Sequence, residues 1–393
     1  MSFAQTRPVA AIKQAQTLPL LAALGGFAVV AAQSAPHGGA RYVVASFIGL
    51  LAGFTLYHAA FGFTAAWRNM VTQRRGQGLR AQMLLLAGAC ALTFPLIAYG
   101  PPVEDMGLRS GAWVLPFGVR AAIGAFIFGL GMQLGGGCGS GTLFTVGGGS
   151  TRMVVTLAFF IAGSLIGTWH LPAWNGLPTL PSFSIIRAFG PMGGWLVIAA
   201  VCGMIWWVSG RVERTTHGSL EPPRQGGGWL TGPWSHTWGV IGLIIVSVAT
   251  ILTLGRPWGI TSGFALWGAK IATSMGADVT AWPYWSGGRA RAIERSVFAD
   301  ATSVMNFALI AGAMAAAALA ARFAPIWKLS FRDVATAVIS GLLLGYGARL
   351  AYGCNIGAYL GGIVSGSLHG WLWGVFAFAG SSIMAMGRKR YNF

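Results

Sequence analysis

Long apolar runs recur along the 393 residues and leave few folds open. Eight lie at roughly 81–99, 113–134, 152–170, 192–209, 236–255, 301–321, 333–352 and 370–386. Each is close to the ~20 residues a helix needs to cross the hydrocarbon core of a bilayer. Two more, near 42–66 and 258–276, are apolar but interrupted by glycine. Charged residues make up 9% of the chain and apolar ones 55%, with a mean hydropathy of +0.64. Soluble domains carry about 25% charged residues. The expected fold is an all-α polytopic membrane protein, a single membrane domain over residues 1–393 with no room for a large soluble domain.

The segment LPLLAALGGFAVVAAQSA, preceded by Arg7 and Lys13, has the pattern of a signal peptide and also that of a first spanning helix. The second reading is favoured by the internal repeat described below. The net charge of +18 would point to nucleic acid in a soluble protein. In a membrane protein it reads as cytoplasmic loops rich in Lys and Arg, and no nucleic-acid partner is expected. The loop 67–80 carries Arg68, Arg74, Arg75 and Arg80 without an acid, and the tail carries Arg388, Lys389 and Arg390. If all eleven apolar segments crossed, the basic N-terminus and the basic tail would face opposite sides. At least one segment should therefore enter and return without crossing.

All eight acids, Glu104, Asp105, Glu213, Glu221, Asp278, Glu294, Asp300 and Asp333, fall in or beside expected loops. Proton relays and acidic cation filters need carboxylates inside the membrane. The pattern argues against both and favours an anionic or neutral substrate.

The chain also repeats itself. GLGMQLGGGCGSG at 129–141 aligns without gaps on GYGARLAYGCNIG at 345–357, with six of thirteen positions identical. IGLLAGFTLY at 48–57 aligns on WGITSGFALW at 258–267. The offsets, 216 and 210, are similar. Two halves are expected, about 18–170 and 236–386, joined by a helix at 192–209. Paired halves with glycine-broken or re-entrant helices place a substrate site where the breaks meet, near the membrane centre. Loose backbone at that depth must be buried in protein or line a cavity, and free N–H groups at helix starts favour anions.

Four cysteines, Cys90, Cys138, Cys202 and Cys354, lie in apolar segments, without CxxC or a zinc spacing. No metal or cofactor is expected. Cys90 and Cys202 read as packing residues. Cys138 and Cys354 share Gly-Cys-x-x-Gly, which marks Gly137, Gly141, Gly353 and Gly357 as the matching backbone positions. A buried thiol stays protonated and acts as a weak donor. It could touch an anion without adding charge. Arg349 and its repeat partner Gln133, with His58 and Lys270, are further candidates for the pathway. The snorkelling of long cations toward the interface is the alternative for Arg349 and Lys270. Most of the seventeen tryptophans lie near segment ends and read as interfacial anchors, with Trp267 a candidate exception.

GGGCGSGTLFTVGGGS, YGCNIGAYLGGIVSGSLHGW and RPWGITSGFALWGAK together resemble the YeeE/YedE family of bacterial membrane proteins, over about 45–386. The resemblance implies uptake of thiosulfate or a related sulfur compound across the bacterial inner membrane. Cys138 and Cys354 would pass the anion on by S–H···S contacts, and a small cytosolic sulfur-carrier protein would be a partner. Family members that carry thiosulfate often hold a third cysteine where this chain has Gly62. The expected function is a transporter of a small sulfur-containing anion, thiosulfate first. The rival is a membrane thiol oxidoreductase or sulfurtransferase, but no local Cys–His pair or CxxC supports the lowered thiol pKa it needs. No GxxxxGK[ST] motif for ATP is present.

Overall fold

The computed structural model describes residues 15–100 and 107–391, which leaves Arg7, Lys13, Glu104 and Asp105 outside it. The protein is 75% helical. The first half of the chain contains α1 (Thr17–Gly38), α2 (Ala40–Ala59), α3 (Phe63–Gln73), α4 (Gln77–Ala98), α5 (Val119–Gly135), α6 (Gly139–Gly147) and α7 (Thr151–His170). A long helix, α8 (Ile185–His217), follows. Then come α9 (His236–Leu254), α10 (Ile260–Ser274), α11 (Gly288–Glu294), α12 (Ala301–Leu319) and α13 (Phe331–Leu350). A π turn (Asn355–Leu360) runs into α14 (Gly361–Val364), and α15 (Leu368–Tyr391) ends the chain. The only named strands among the described residues are a two-residue ribbon, Phe117–Gly118 against Thr179–Leu180.

Among the described residues, ten segments are long and apolar enough to cross a membrane. The eleventh apolar run is α10, with 15 residues. At 1.5 Å per residue it reaches about 22 Å, short of the ~30 Å core. With α10 left out, the two basic ends would fall on the same side. One face gathers the segment ends near 16, 72–76, 217, 323–333 and 388. Gln16 bonds Phe323 O at 2.9 Å, His217 bonds Gln73 O at 2.9 Å, and Lys389 donates to Thr72 O at 3.1 Å. The opposite face joins Tyr42 to Ala299 O, Arg109 N to Leu252 O, and Trp113 N to Ser365 Oγ. Both described ends of the chain lie on the first face, which carries Arg68, Arg74, Arg75, Arg388 and Lys389 and is called the basic face below.

The helices approach backbone to backbone, as expected where a bilayer offers no hydrophobic drive for side-chain burial. On α2, Gly49 and Gly53 form a GxxxG pair against α12, and a Cβ at either would overlap the carbonyls of Met305 and Leu309. Helix α13 runs between α5 and α7. Gly347 abuts Gly124 while Gly131 abuts Leu343, so α5 and α13 are antiparallel. Gly341 lies on Thr156 and Gly345 on Ser164, so α13 and α7 are parallel. Helix α5 in turn runs parallel to α15, through Gly129 on Ala377 and Gln133 on Ser381.

The expected linking helix is longer than its apolar run, because α8 continues through polar residues to His217 and is bent at Gly190, where φ is 69°. Near its end Glu213 is fully buried. It pairs with Arg75 at 3.2 Å and Arg80 at 2.8 Å, and it accepts from the backbone N–H of Gly76 and Glu221. Other acids cap helices: Asp300 accepts from Ser303 N at 2.8 Å, and Asp333 forms a capping box with Ser330. Three tryptophans expected at the interface are buried instead. Trp67, Trp234 and Trp285 donate to Gln82, Trp229 O and Thr168, because a buried indole N–H needs a protein acceptor. Trp327, at 82% exposure, keeps the expected surface position.

The contrast between two glycines tests this packing. Gly53→Ala should lower the thermal midpoint of the detergent-purified protein, by about 1–3 kcal/mol of overpacking. Gly25→Ala, with nothing within 4 Å of its added Cβ, should leave the midpoint unchanged.

Candidate functional site

Each of the two glycine-cysteine motifs ends one helix and starts another. Helix α5 stops at Gly136, whose φ of 82° is reached cheaply only by glycine. Two residues on, Cys138 is the N-cap of α6, at φ −96° and ψ −165°. Its Sγ accepts from Gly141 N at 3.4 Å, and its carbonyl accepts from Thr142 N at 2.8 Å. Helix α13 ends in the same way: Tyr352 takes a φ of 66°, and Cys354 is the N-cap of the π turn, at φ −102° and ψ −170°. The Cys354 carbonyl accepts from Ala358 N at 2.7 Å.

The two starts meet. A Cβ built on Gly139 would lie 2.9 Å from Cys354 Sγ and 3.4 Å from Thr261 Cγ2. Thr261 belongs to the first turn of α10, so three helix N-termini converge on this point. Their N–H groups give the place a partial positive character. From here the two broken helices diverge to opposite faces. Gly149, just past α6, lies against Phe323 and Ala324 on the basic face. Ser365 and Ser367, just past α14, accept from Trp113 N and Leu115 N on the other.

Polar groups without partners surround the cysteines. Both side-chain amide atoms of Asn355 are buried and unpaired, as are Asn306 Oδ1 and Trp258 Nε1. Arg349 Nη2 donates to Thr261 Oγ1 at 2.7 Å and Nη1 to Tyr284 OH at 3.3 Å, leaving Nε buried and unpaired. No cluster of His, Cys, Asp and Glu that could hold a metal occurs among the described residues. The arrangement offers neutral thiols, amide groups and one guanidinium around a closed centre, a setting suited to an anion with both sulfur and oxygen atoms.

The remaining expected residues lie elsewhere. Gln133 donates to Thr64 O at 2.9 Å and Ser381 Oγ at 2.8 Å, between α5, α3 and α15. His58, 3% exposed, lies under Trp234, whose backbone N–H donates to His58 O at 2.8 Å. Lys270 donates to the carbonyls of Ile293 and Arg295. Trp267 stacks on Phe307 and donates to Ser303 Oγ at 2.8 Å. Sequence reasoning missed Asn355 and Thr261. Asn355 stands where the other motif has Gly139, and an amide in so apolar a run was the available signal.

A profile described as sulphur transport matches residues 58–383. The chain belongs to the sulphur transport family. Within it, the chain is 28% identical to the thiosulfate transporter TsuA of Spirochaeta thermophila, over 86% of this chain and 96% of that protein. It is 25% identical to TsuA of Escherichia coli, over 84% of this chain and 90% of the relative. It is also 30% identical to the probable transporter YedE of Escherichia coli, where the match covers only 39% of this chain and 37% of YedE.

Burial should shield the four thiols of this member of the sulphur transport family from thiol reagents. Cys90 and Cys354 are fully buried, and Cys138 and Cys202 are each 2% exposed. Maleimide titration of the folded protein should label none of the four within the time that labels all of them in denaturant. Fast labelling of Cys138 or Cys354 in the folded state would contradict the closed centre and favour a reactive, enzyme-like thiol.

Proposed function

We propose that this protein carries a small sulfur-containing anion, thiosulfate first, inward across the bacterial inner membrane along a path between Cys138 and Cys354. The observation that carries the reading is the convergence of two cysteine-capped broken helices, with Gly139 of the first motif set against the Cys354 thiol. Membership of the sulphur transport family and the TsuA relatives supports it. Neutral thiols can contact the terminal sulfur of the anion, while Asn355 and Arg349 supply donors for its oxygens. Binding of this kind is weak enough to release, as transport requires. The basic face would be cytoplasmic by the positive-inside rule. A small cytosolic sulfur-carrier protein as partner rests on the family resemblance alone.

Duplication of the two halves belongs to the same proposal. With α5 antiparallel to α13, and α7 and α15 flanking them, the halves would be related by a two-fold axis in the membrane plane. In that arrangement the counterpart of α9 is α2, since each is followed by a break and a short helix, α3 or α10, and the expected alignment of 48–57 on 258–267 gives way to this pairing. Gly62, in place of a family cysteine, is not crowded. Its added Cβ would meet nothing nearer than Ala60 O at 4.0 Å.

Uptake of sulfur-35 thiosulfate into proteoliposomes tests the proposal. Wild-type protein should take it up, with sulfite and sulfate competing poorly. Cys138→Ala and Cys354→Ala should each abolish uptake while remaining folded and inserted. Normal uptake by both variants would sink the thiol role. Gly62→Cys should fold as wild type and transport at least as well.

A further inference from the structure

The break between α2 and α3 opens onto a second polar space, on the basic side of the molecule. A cavity of about 340 Å³ is walled by Gly62, Arg75, Gln82, Glu221, Arg224 and His236, among others. Two of these residues carry buried polar atoms without a partner, Gln82 Nε2 and His236 Nδ1. Gln82 is 1% exposed, and its orientation is fixed because Trp67 Nε1 donates to Oε1 at 2.9 Å. The unpaired end is therefore the NH₂ group, a donor. A buried donor left unpaired costs about 1–3 kcal/mol, and its persistence in a folded protein calls for a ligand or water.

The charges around the cavity favour a negative ligand. Arg75 and Arg80 share the single buried Glu213, which balances only one of their two charges. Arg224 donates to Ala59 O at 3.3 Å but forms no ion pair among the described residues. Burial and the nearby Arg322 lower its pKa from the usual guanidinium value. Glu221 is the only acid on the wall, set against Arg224 and Arg322.

We propose that this cavity is a binding site for a small oxyanion, held by the Gln82 amide, the Arg224 guanidinium and the His236 ring with its proton on Nδ1. It differs in chemistry from the centre. No thiol lines it, and the break contributes Ala60, Phe61 and Gly62 to its wall. Its donors address oxygen, so it does not distinguish a sulfur-terminated anion from an all-oxygen one such as sulfate. Recognition of sulfur is left to Cys138 and Cys354, and the inner cavity receives whatever the centre has passed.

Equilibrium binding of sulfur-35 sulfate to the detergent-purified full chain tests this independently of transport. Wild-type protein should bind sulfate saturably. Gln82→Leu and Arg224→Gln should each weaken binding about tenfold, the effect of losing one hydrogen bond to a charged ligand. Gly62→Phe, which fills the cavity from open space, should abolish it. Arg224 is half-buried, so Arg224→Gln keeps the test valid if the other two variants fail to fold. The proposal is overturned by an absence of saturable binding, by binding that survives in every folded variant, or by loss on Cys354→Ala instead, which would place the anion at the centre. Thiosulfate uptake reports on the transport proposal separately, so either can fail alone.

Discussion

Unwound backbone inside a bilayer has no water to bond with, and much of this structure follows from meeting that constraint twice. At Cys138 and Cys354 a helix stops, turns through a left-handed residue and starts again. Such breaks survive only when walled by protein on every side. The wall is built from helices that touch backbone to backbone, with α2 on α12, α13 on α7 and α15 on α5. Small residues at those contacts let the surrounding helices close over the breaks, and the result is a centre that is polar in composition yet buried.

The chain's apolar runs were enough to read the fold class, since no other architecture accommodates ten segments of that length with 9% charge. That both ends are basic also implied that at least one segment does not cross, and α10, with 15 residues, is too short to span by itself. Neighbour relations were not legible. Periodicity says which residues are apolar but not which helix will cover them, so Trp67, Trp234 and Trp285 were misplaced at the interface. The same limit hid Gln82, Thr261 and Asn355. Each gains meaning only from a residue far away in sequence: Trp67 for Gln82, Arg349 for Thr261, and the facing motif for Asn355. Lys270 looked available because it follows the glycine-rich segment, but its ammonium is held by the carbonyls of Ile293 and Arg295.

The two polar spaces, as proposed, divide recognition by chemistry. At the centre, soft polarizable thiols stand beside amide groups in a buried setting, where an unpaired polar atom is costly and an ill-fitting ligand is penalised. At the inner cavity, donors and excess positive charge stand in a roomier space that admits water. A strict filter followed by a permissive vestibule lets an ion leave without a second stringent desolvation.

Gly136 and Tyr352 hold the same left-handed turn, 216 residues apart, yet only one of them is glycine. For tyrosine that backbone costs about 1–2 kcal/mol, and it is held in place by Arg120, which donates to its hydroxyl at 2.9 Å and lies over its ring. If the halves descend from one ancestor, the shape of the turn has outlived the residue type that first made it easy. The second copy would then have acquired an aromatic ring and a cation on the face opposite the basic one, where the first copy has bare backbone. A molecule symmetric in its frame would thereby be polar in its lining, and on the proposed path an ion arriving from one side would meet a different sequence of neighbours from an ion arriving from the other.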